Sequence, residues 1–316
     1  MQTDHSEKLP FAPVILVVDD EPLYRELIID TFHDSNYRFV EAANGEAAWA
    51  LLNADPEHFD IILLDRDMPH CNGLELLRRM KKDRILKTIP VIFQSGMSDA
   101  RDIQQGMELG AYYYLSKPYQ QKQLITVLTT AIRERYHYYL VKQQLQQQQQ
   151  TPQPDLNFSF CTLDEIYRLS SLVAGMLPNA DLAAIGIFEL MLNAIEHGNL
   201  GINYHEKGVL IEQGLWEEEI MRRLGSLQSN KRLATLSVER QQNCITITIC
   251  DQGEGFNWQQ YLNFDINRLM DNHGRGIAMA NHCGFSSLTF LGNGNCARIS
   301  VDLTTVTDPQ QASELL

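Results

Sequence analysis

"VILVVD", residues 14–19, reads as a β-strand: an unbroken β-branched apolar run that stops at an acid. Four further runs read the same way, "RFVEA" (38–42), "IILLD" (61–65), "PVIFQS" (90–95) and "YYYLS" (112–116). Helical patterns lie between them at about 23–33, 45–54, 74–83 and 99–109, and a last helix begins near Tyr119. Strict alternation of strand and helix predicts βαβ units: an α/β, (βα)5 doubly wound parallel sheet covered on both faces. Ligands of such sheets sit beyond the carboxyl ends of the strands.

Those strand ends carry chemistry. Asp19 and Asp20 follow the first, Asp65 ends the third, and Lys117 follows the fifth just before Pro118. Any one aspartate there could simply cap a helix. Clustered carboxylates repel unless a cation sits among them, and a hard ion such as Mg2+ suits an all-oxygen site that also takes phosphoryl oxygens. The motifs "VVDDEP", "LLDRDMP…NG", "QSG" and "YLSKPY", in this order, resemble the response-regulator receiver domain over 12–135. The resemblance implies that Asp65 is the phosphoacceptor, taking its phosphoryl group from a sensor histidine kinase or phosphotransfer protein. It also implies that Asp20, Asp65 and the Asp67 carbonyl hold Mg2+ and that Asp19 orients its water. Lys117 would pair with the phosphoryl group, while Ser95 and Tyr114 would switch with it.

The chain has 316 residues, 44% hydrophobic and 21% charged, as expected for two globular domains. A formal charge of −14 and no basic stripe argue against direct DNA binding. Cysteines 71, 161, 244, 250, 283 and 296 form no C-x-x-C pair and are expected as reduced, mostly buried thiols. With no signal-peptide core and no bilayer-length apolar run, the expectation is a cytoplasmic protein without a membrane partner.

Beyond Tyr119 the helical pattern continues, with Leu124, Leu128, Ala131, Tyr138 and Leu145 forming an imperfect heptad seam. A homodimer through helix 119–145 is one reading of that seam, packing on its own sheet the other. "QQQQQTPQP" (146–154) is a linker by composition, so 136–155 reads as a helical extension plus a Gln/Pro connector. From 156 to 304 the order changes. A strand at "LNFSFCT" precedes a helix at 163–177 that Thr162 and Glu165 open as a capping box. A second helix spans about 181–197, and "GLWEEEIMRRLGSL" (214–227) is amphipathic. "LATLSVER", "CITITICD", "SSLTFLG" and "ARISVDL" supply four more strands. An α+β two-layer sandwich is expected, with helices on one side of a mostly antiparallel sheet.

Within the second helix, "ELMLNAIEHGN" (189–199) puts Glu189, Asn193, Glu196 and His197 on one face of an otherwise apolar segment. "DQGEGF" (251–256) follows a strand and "HGRGIAMA" (273–280) opens a helix. As a trio these stretches resemble the GHKL ATPase fold shared by histidine kinases, gyrase and the anti-sigma-factor serine kinases. The resemblance implies ATP and Mg2+ as cofactors. Asn193 would ligate the metal, Asp251 would accept the adenine amine, and Gly253, Gly255, Gly274 and Gly276 would close over base and phosphates. Glu189 would be the catalytic base; its plain alternative is a surface glutamate. His197 is read as bonding locally and Glu196 as facing water.

His205-Glu206 is a poor phosphoacceptor motif, because strand-like residues and a glycine follow it. The single helix and strand before Asn193 resemble the serine-kinase branch. Two departures stand out: 201–235 is longer than in the small anti-sigma kinases, and Asn295 stands where a Thr or Ser often meets phosphate. The reading is therefore a receiver that controls, through helix 119–145, a serine/threonine protein kinase. Its substrate would be a STAS-domain anti-sigma-factor antagonist, with a sigma factor as ultimate readout. The alternatives are an ATP-binding partner switch that transfers nothing, and a hybrid histidine kinase.

Overall fold

The computed structural model describes residues 12–96, 100–147, 155–226, 232–262, 274, 276–281 and 283–303. They fall into two compact units, the first ending at Tyr136 and the second opening at His137.

The first unit is a five-stranded parallel sheet: β1 (Val14–Val18), β2 (Arg38–Ala42), β3 (Ile61–Asp65), β4 (Val91–Ser95) and β5 (Tyr113–Ser116), in the order β2-β1-β3-β4-β5. Every residue of β1, β3 and β4 is buried, which is why these strands read as continuous apolar runs. Helices α1 (Pro22–Thr31), α2 (Gly45–Ala54), α3 (Gly73–Lys82) and α4 (Ala100–Glu108) alternate with the strands. Asn44 and Asn72 start α2 and α3 by accepting the Ala47 and Glu75 amides, each at 2.9 Å. Leu74, Leu77 and Met80 then form the buried face of α3. Strand order reverses between β1 and β3, so a crevice opens at the carboxyl ends of those two strands, where Asp19 and Asp65 stand.

Helix α5 (Gln121–Gln147) is continuous. Of the seam residues, Leu124, Leu128, Ala131 and Tyr138 are buried within the chain, and Leu145 packs on the second unit's core. The chain itself covers the seam, so it is not an open face for a second helix. The extension beyond the receiver is correspondingly no bare connector: from His137 it belongs to the second unit, where Val141 joins the core. Linker residues 148–154 lie outside the described residues.

In the second unit β6 (Asp155–Phe160), β7 (Ala234–Gln241), β8 (Cys244–Cys250), β9 (Ser287–Leu291) and β10 (Cys296–Asp302) form an antiparallel sheet in the order β6-β7-β8-β10-β9. Ile245, Ile247 and Ile249 point inward from β8, while Thr246 and Thr248 take the other face. Helices α6 (Leu163–Ala174) and α7 (Ala180–Asn193) pack on the inward face through Ile166, Leu169, Ile187 and Met191. The capping box forms at α6: Thr162 Oγ1 accepts the Glu165 amide at 3.3 Å, and Glu165 Oε2 accepts the Thr162 amide at 3.0 Å.

Three details depart from expectation. Helix α7 ends at Asn193, and Ala194–Asn199 continues as a wider π turn. The strand-like stretch after His205 is helical instead: α8 (Tyr204–Gln213) is capped by Asn203 and ended by Gly214 in the left-handed region, φ 69°. It is followed by α9 (Trp216–Ser226). Finally, the cysteines are not all free. Cys250 and Cys296 oppose each other across β8 and β10 and are joined as a disulfide, while Cys71, Cys161, Cys244 and Cys283 remain thiols. Among the described residues no helix is long and apolar enough to cross a membrane.

The pairing predicts a thiol count. Alkylation of the unfolded, unreduced chain should label four of the six cysteines, and prior reduction all six, read by intact mass. Six labels without reductant would refute the cross-strand bond.

Candidate functional site

At the carboxyl end of the parallel sheet, β1 delivers Asp19, the turn after it Asp20, and β3 Asp65. One oxygen from each lies within 4.8 Å of the others. Asp19 and Asp65 are buried and Asp20 is exposed. The Lys117 ammonium bridges the two buried acids, 2.7 Å from Asp19 Oδ2 and 2.6 Å from Asp65 Oδ1. Its other side rests on the Tyr24 ring, 4.1 Å from the centroid.

Backbone amides hold the carboxylates in place. Glu21 N–H donates to Asp19 Oδ1 at 3.0 Å, and Asp67 N–H to Asp65 Oδ2 at 3.0 Å. The Ser95 hydroxyl donates to Asp67 Oδ2 at 2.9 Å. Tyr114 is buried beside Phe93, ring centroids 6.3 Å apart. Burial pushes the Asp65 carboxyl above the ordinary range; Lys117 and the Asp67 amide pull it down, and the Asp19 charge adds to the rise. Burial likewise works against the Lys117 ammonium, but its bonds to Asp19 and Asp65 win and hold it above the usual lysine range. Three carboxylates set against one ammonium leave two negative charges. Their oxygens, one of them open to solvent, are a donor set that could hold a hard divalent cation.

A second convergence lies in the antiparallel unit. Glu189 and Asn193, one turn apart on α7, both face Gly276, which opens α10 (Gly276–Asn281). A Cβ at position 276 would collide with Glu189 Oε2 and stand 3.6 Å from Asn193 Nδ2. Any larger residue there would have to push the Glu189 carboxylate aside. Asp251 follows β8 and backs onto Gly198, where a side chain would strike the carboxylate. The Gly253 amide donates to Asp251 Oδ1 at 2.7 Å. Burial raises the Asp251 pKa, and that amide partly offsets it. Gly255 packs on the Asn293 backbone, and Gly274 lies under the Tyr204 ring.

Asn295 is committed elsewhere than to a phosphate. Its amide donates to the Asp251 carbonyl at 3.1 Å and its own carbonyl accepts the Asp251 N–H at 2.9 Å. His197 bonds locally, Nδ1 donating to the Ile202 carbonyl at 2.5 Å. Glu196, expected to face water, is instead fully buried, 2.7 Å from Lys207 Nζ and 2.8 Å from Trp216 Nε1. Nothing local in the sequence marks these partners, which stand 11 and 20 residues further on.

The Asp65 environment generates a stability prediction. With its folded pKa raised, the neutral carboxyl favours folding at acid pH, and that contribution is lost as pH rises through the folded value. Asp65→Asn should therefore raise the thermal midpoint by a few degrees at pH 7, the gain fading below pH 4. An equal gain at both pH values would contradict this account of the site.

A family profile described as the response regulator receiver domain matches residues 15–129. The phosphate regulon transcriptional regulatory protein PhoB of Pseudomonas aeruginosa is 36% identical over 120 residues, 38% of this chain and 51% of that protein. The chain spans about half the length of most curated relatives it matches first. Chemotaxis protein CheY4 of Vibrio cholerae, a solved structure, is similar at 26% identity and a TM-score of 0.36, over 38% of this chain and 99% of that one. The two-component response regulator ORR5 of Oryza sativa subsp. japonica is matched over most of its length: 32% identity across 122 residues, 39% of this chain and 90% of that protein. Matching nearly the whole of such a relative, with its acids and lysine gathered at one sheet end, the chain belongs to the two-component response regulators.

Proposed function

We propose that Asp65 is the phosphoacceptor and that the second unit is an ATP-dependent serine/threonine protein kinase of GHKL type. Its substrate would be a STAS-domain anti-sigma-factor antagonist, with a sigma factor downstream. The donor to Asp65 is a phosphohistidine on a sensor kinase or phosphotransfer protein. One observation carries the kinase reading: Glu189 and Asn193, one turn apart, both close on the glycine that opens α10.

In the receiver, an Asp65 oxygen attacks phosphorus, the N–P bond of phosphohistidine breaks, and its electrons return to the imidazole. Lys117, already 2.6 Å from Asp65, neutralises charge on the incoming group. Mg2+, which Asp20, Asp65 and the Asp67 carbonyl would hold here with Asp19 orienting its water, and Asn193 would hold in the second unit, would supply further neutralisation of phosphoryl oxygens. In the second unit Asp251 accepts the adenine amine, and the backbone at Gly253, Gly255, Gly274 and Gly276 lies close around base and phosphates. Glu189 takes the proton of the attacking hydroxyl as the γ-phosphorus leaves the β–γ bridging oxygen of ATP. Helix α5, unbroken from Gln121 to Gln147, is the covalent route by which acylphosphate at Asp65 shifts the balance between restrained and competent states.

A second reading, nucleotide binding without transfer, draws support from Asn295: its side-chain amide braces the Asp251 backbone, donating to that carbonyl at 3.1 Å. Incubating the full chain with γ-labelled ATP and a candidate STAS protein separates the readings. Label on the partner, falling by about 10²-fold in Glu189→Gln and Asn193→Ala, is the expected result. A stable complex without label favours the binding module, and acid-labile phosphate on this chain itself a histidine kinase.

A further inference from the structure

The turn that carries Gly198 is held from behind. Glu196, in the middle of Ala194–Asn199, is a fully buried carboxylate at the junction of three elements. It accepts from Lys207 of α8 at 2.7 Å and from the Trp216 indole of α9 at 2.8 Å. Burial pushes this carboxyl up, yet the Lys207 charge and the two hydrogen bonds outweigh it and hold the group below the ordinary range. The same hairpin grips the turn again at Leu200, whose carbonyl accepts from Arg223 Nη1 at 3.0 Å, while Arg223 also pairs with Glu206 and Glu219.

On its other side this turn forms the wall behind Asp251. Gly198 leaves no room for a side chain beside the Asp251 carboxylate, and its carbonyl oxygen fills the space that a Cβ on Gly253 would need. Asn199 Oδ1 accepts the Gln252 amide at 2.9 Å. Tyr204, at the start of α8, covers Gly274. The hairpin α8–α9, which lies in the added length between residues 201 and 235, thus touches Gly274 and the turn directly, and reaches the 251–253 segment through that turn.

We infer that α8–α9 is a positioning clamp for the adenine-nucleotide pocket, and that Glu196, with Lys207 and Trp216, is the set of positioning residues through which it fixes the Asp251 wall. The inference rests on the nucleotide reading of that site. The clamp acts on the pocket rather than on folding alone: an unpaired Glu196 charge, or a lost indole donor, lets the turn relax toward solvent, and Gly198 carries the Asp251 loop with it.

The test measures Mg2+–AMPPNP and Mg2+–GMPPNP binding to the full chain by calorimetry, at a temperature where circular dichroism shows every variant folded. Trp216→Phe keeps an aromatic ring, smaller than the indole, and removes the donor; Lys207→Met leaves the buried carboxylate without its cation; Lys207→Arg keeps the charge. Trp216→Phe and Lys207→Met should weaken AMPPNP binding about tenfold or more and narrow the preference over GMPPNP, whereas Lys207→Arg stays within about threefold. Arg222→Ala, which loses an exposed pair on the same helix, should bind as the parent does. Lower melting temperatures with unchanged affinity and preference in both disruptive variants would overturn the clamp while leaving the nucleotide reading intact. A parent chain that binds neither analogue removes the nucleotide reading, and the clamp with it.

Discussion

One ammonium between two buried acids underlies the receiver. Asp19 and Asp65 are almost without solvent, on neighbouring strands of one parallel sheet, and their charges would drive the ends of β1 and β3 apart. Lys117 bonds both and is itself cushioned by an aromatic ring. The sheet topology makes the arrangement available, because the carboxyl ends of β1, β3 and β5 share one rim. The lysine makes it tolerable at neutral pH. What remains uncompensated is negative charge beside an exposed third acid, a set of oxygens that could hold a hard divalent cation.

The second unit solves a different packing problem with the same economy of position. Its sheet buries one face only, so α6 and α7 cover the isoleucines of β8 and leave polar residues outside. Glycines at 198 and 276 are places where a carboxylate, of Asp251 and of Glu189, occupies the volume of a missing Cβ. These are constraints of shape.

Strand positions in both units were legible because burial writes itself into the sequence, as continuous runs in the parallel sheet and as alternation in the antiparallel one. The acids and lysine of the first site were legible for a related reason: strand ends in a βα fold are placed by topology. Residues 204–213 were misread because Val209, Leu210 and Ile211 form a short apolar run with no helical period of its own. The cues that settle it are the Asn203 cap and the left-handed Gly214. The burial of Glu196 could not be read locally, since both partners lie on later helices. The Cys250–Cys296 bond escaped because strand register, rather than sequence spacing, brings the two residues level.

That bond has a topological consequence. It joins positions 46 residues apart at adjacent points of one sheet, so the chain between them is covalently a closed ring. Both glycine segments, at 253–255 and 274–276, are threaded on it. Its two ends stay fastened to the same spot, and the conformational space open to the intervening chain when the sheet comes apart is that of a loop rather than of two free arms.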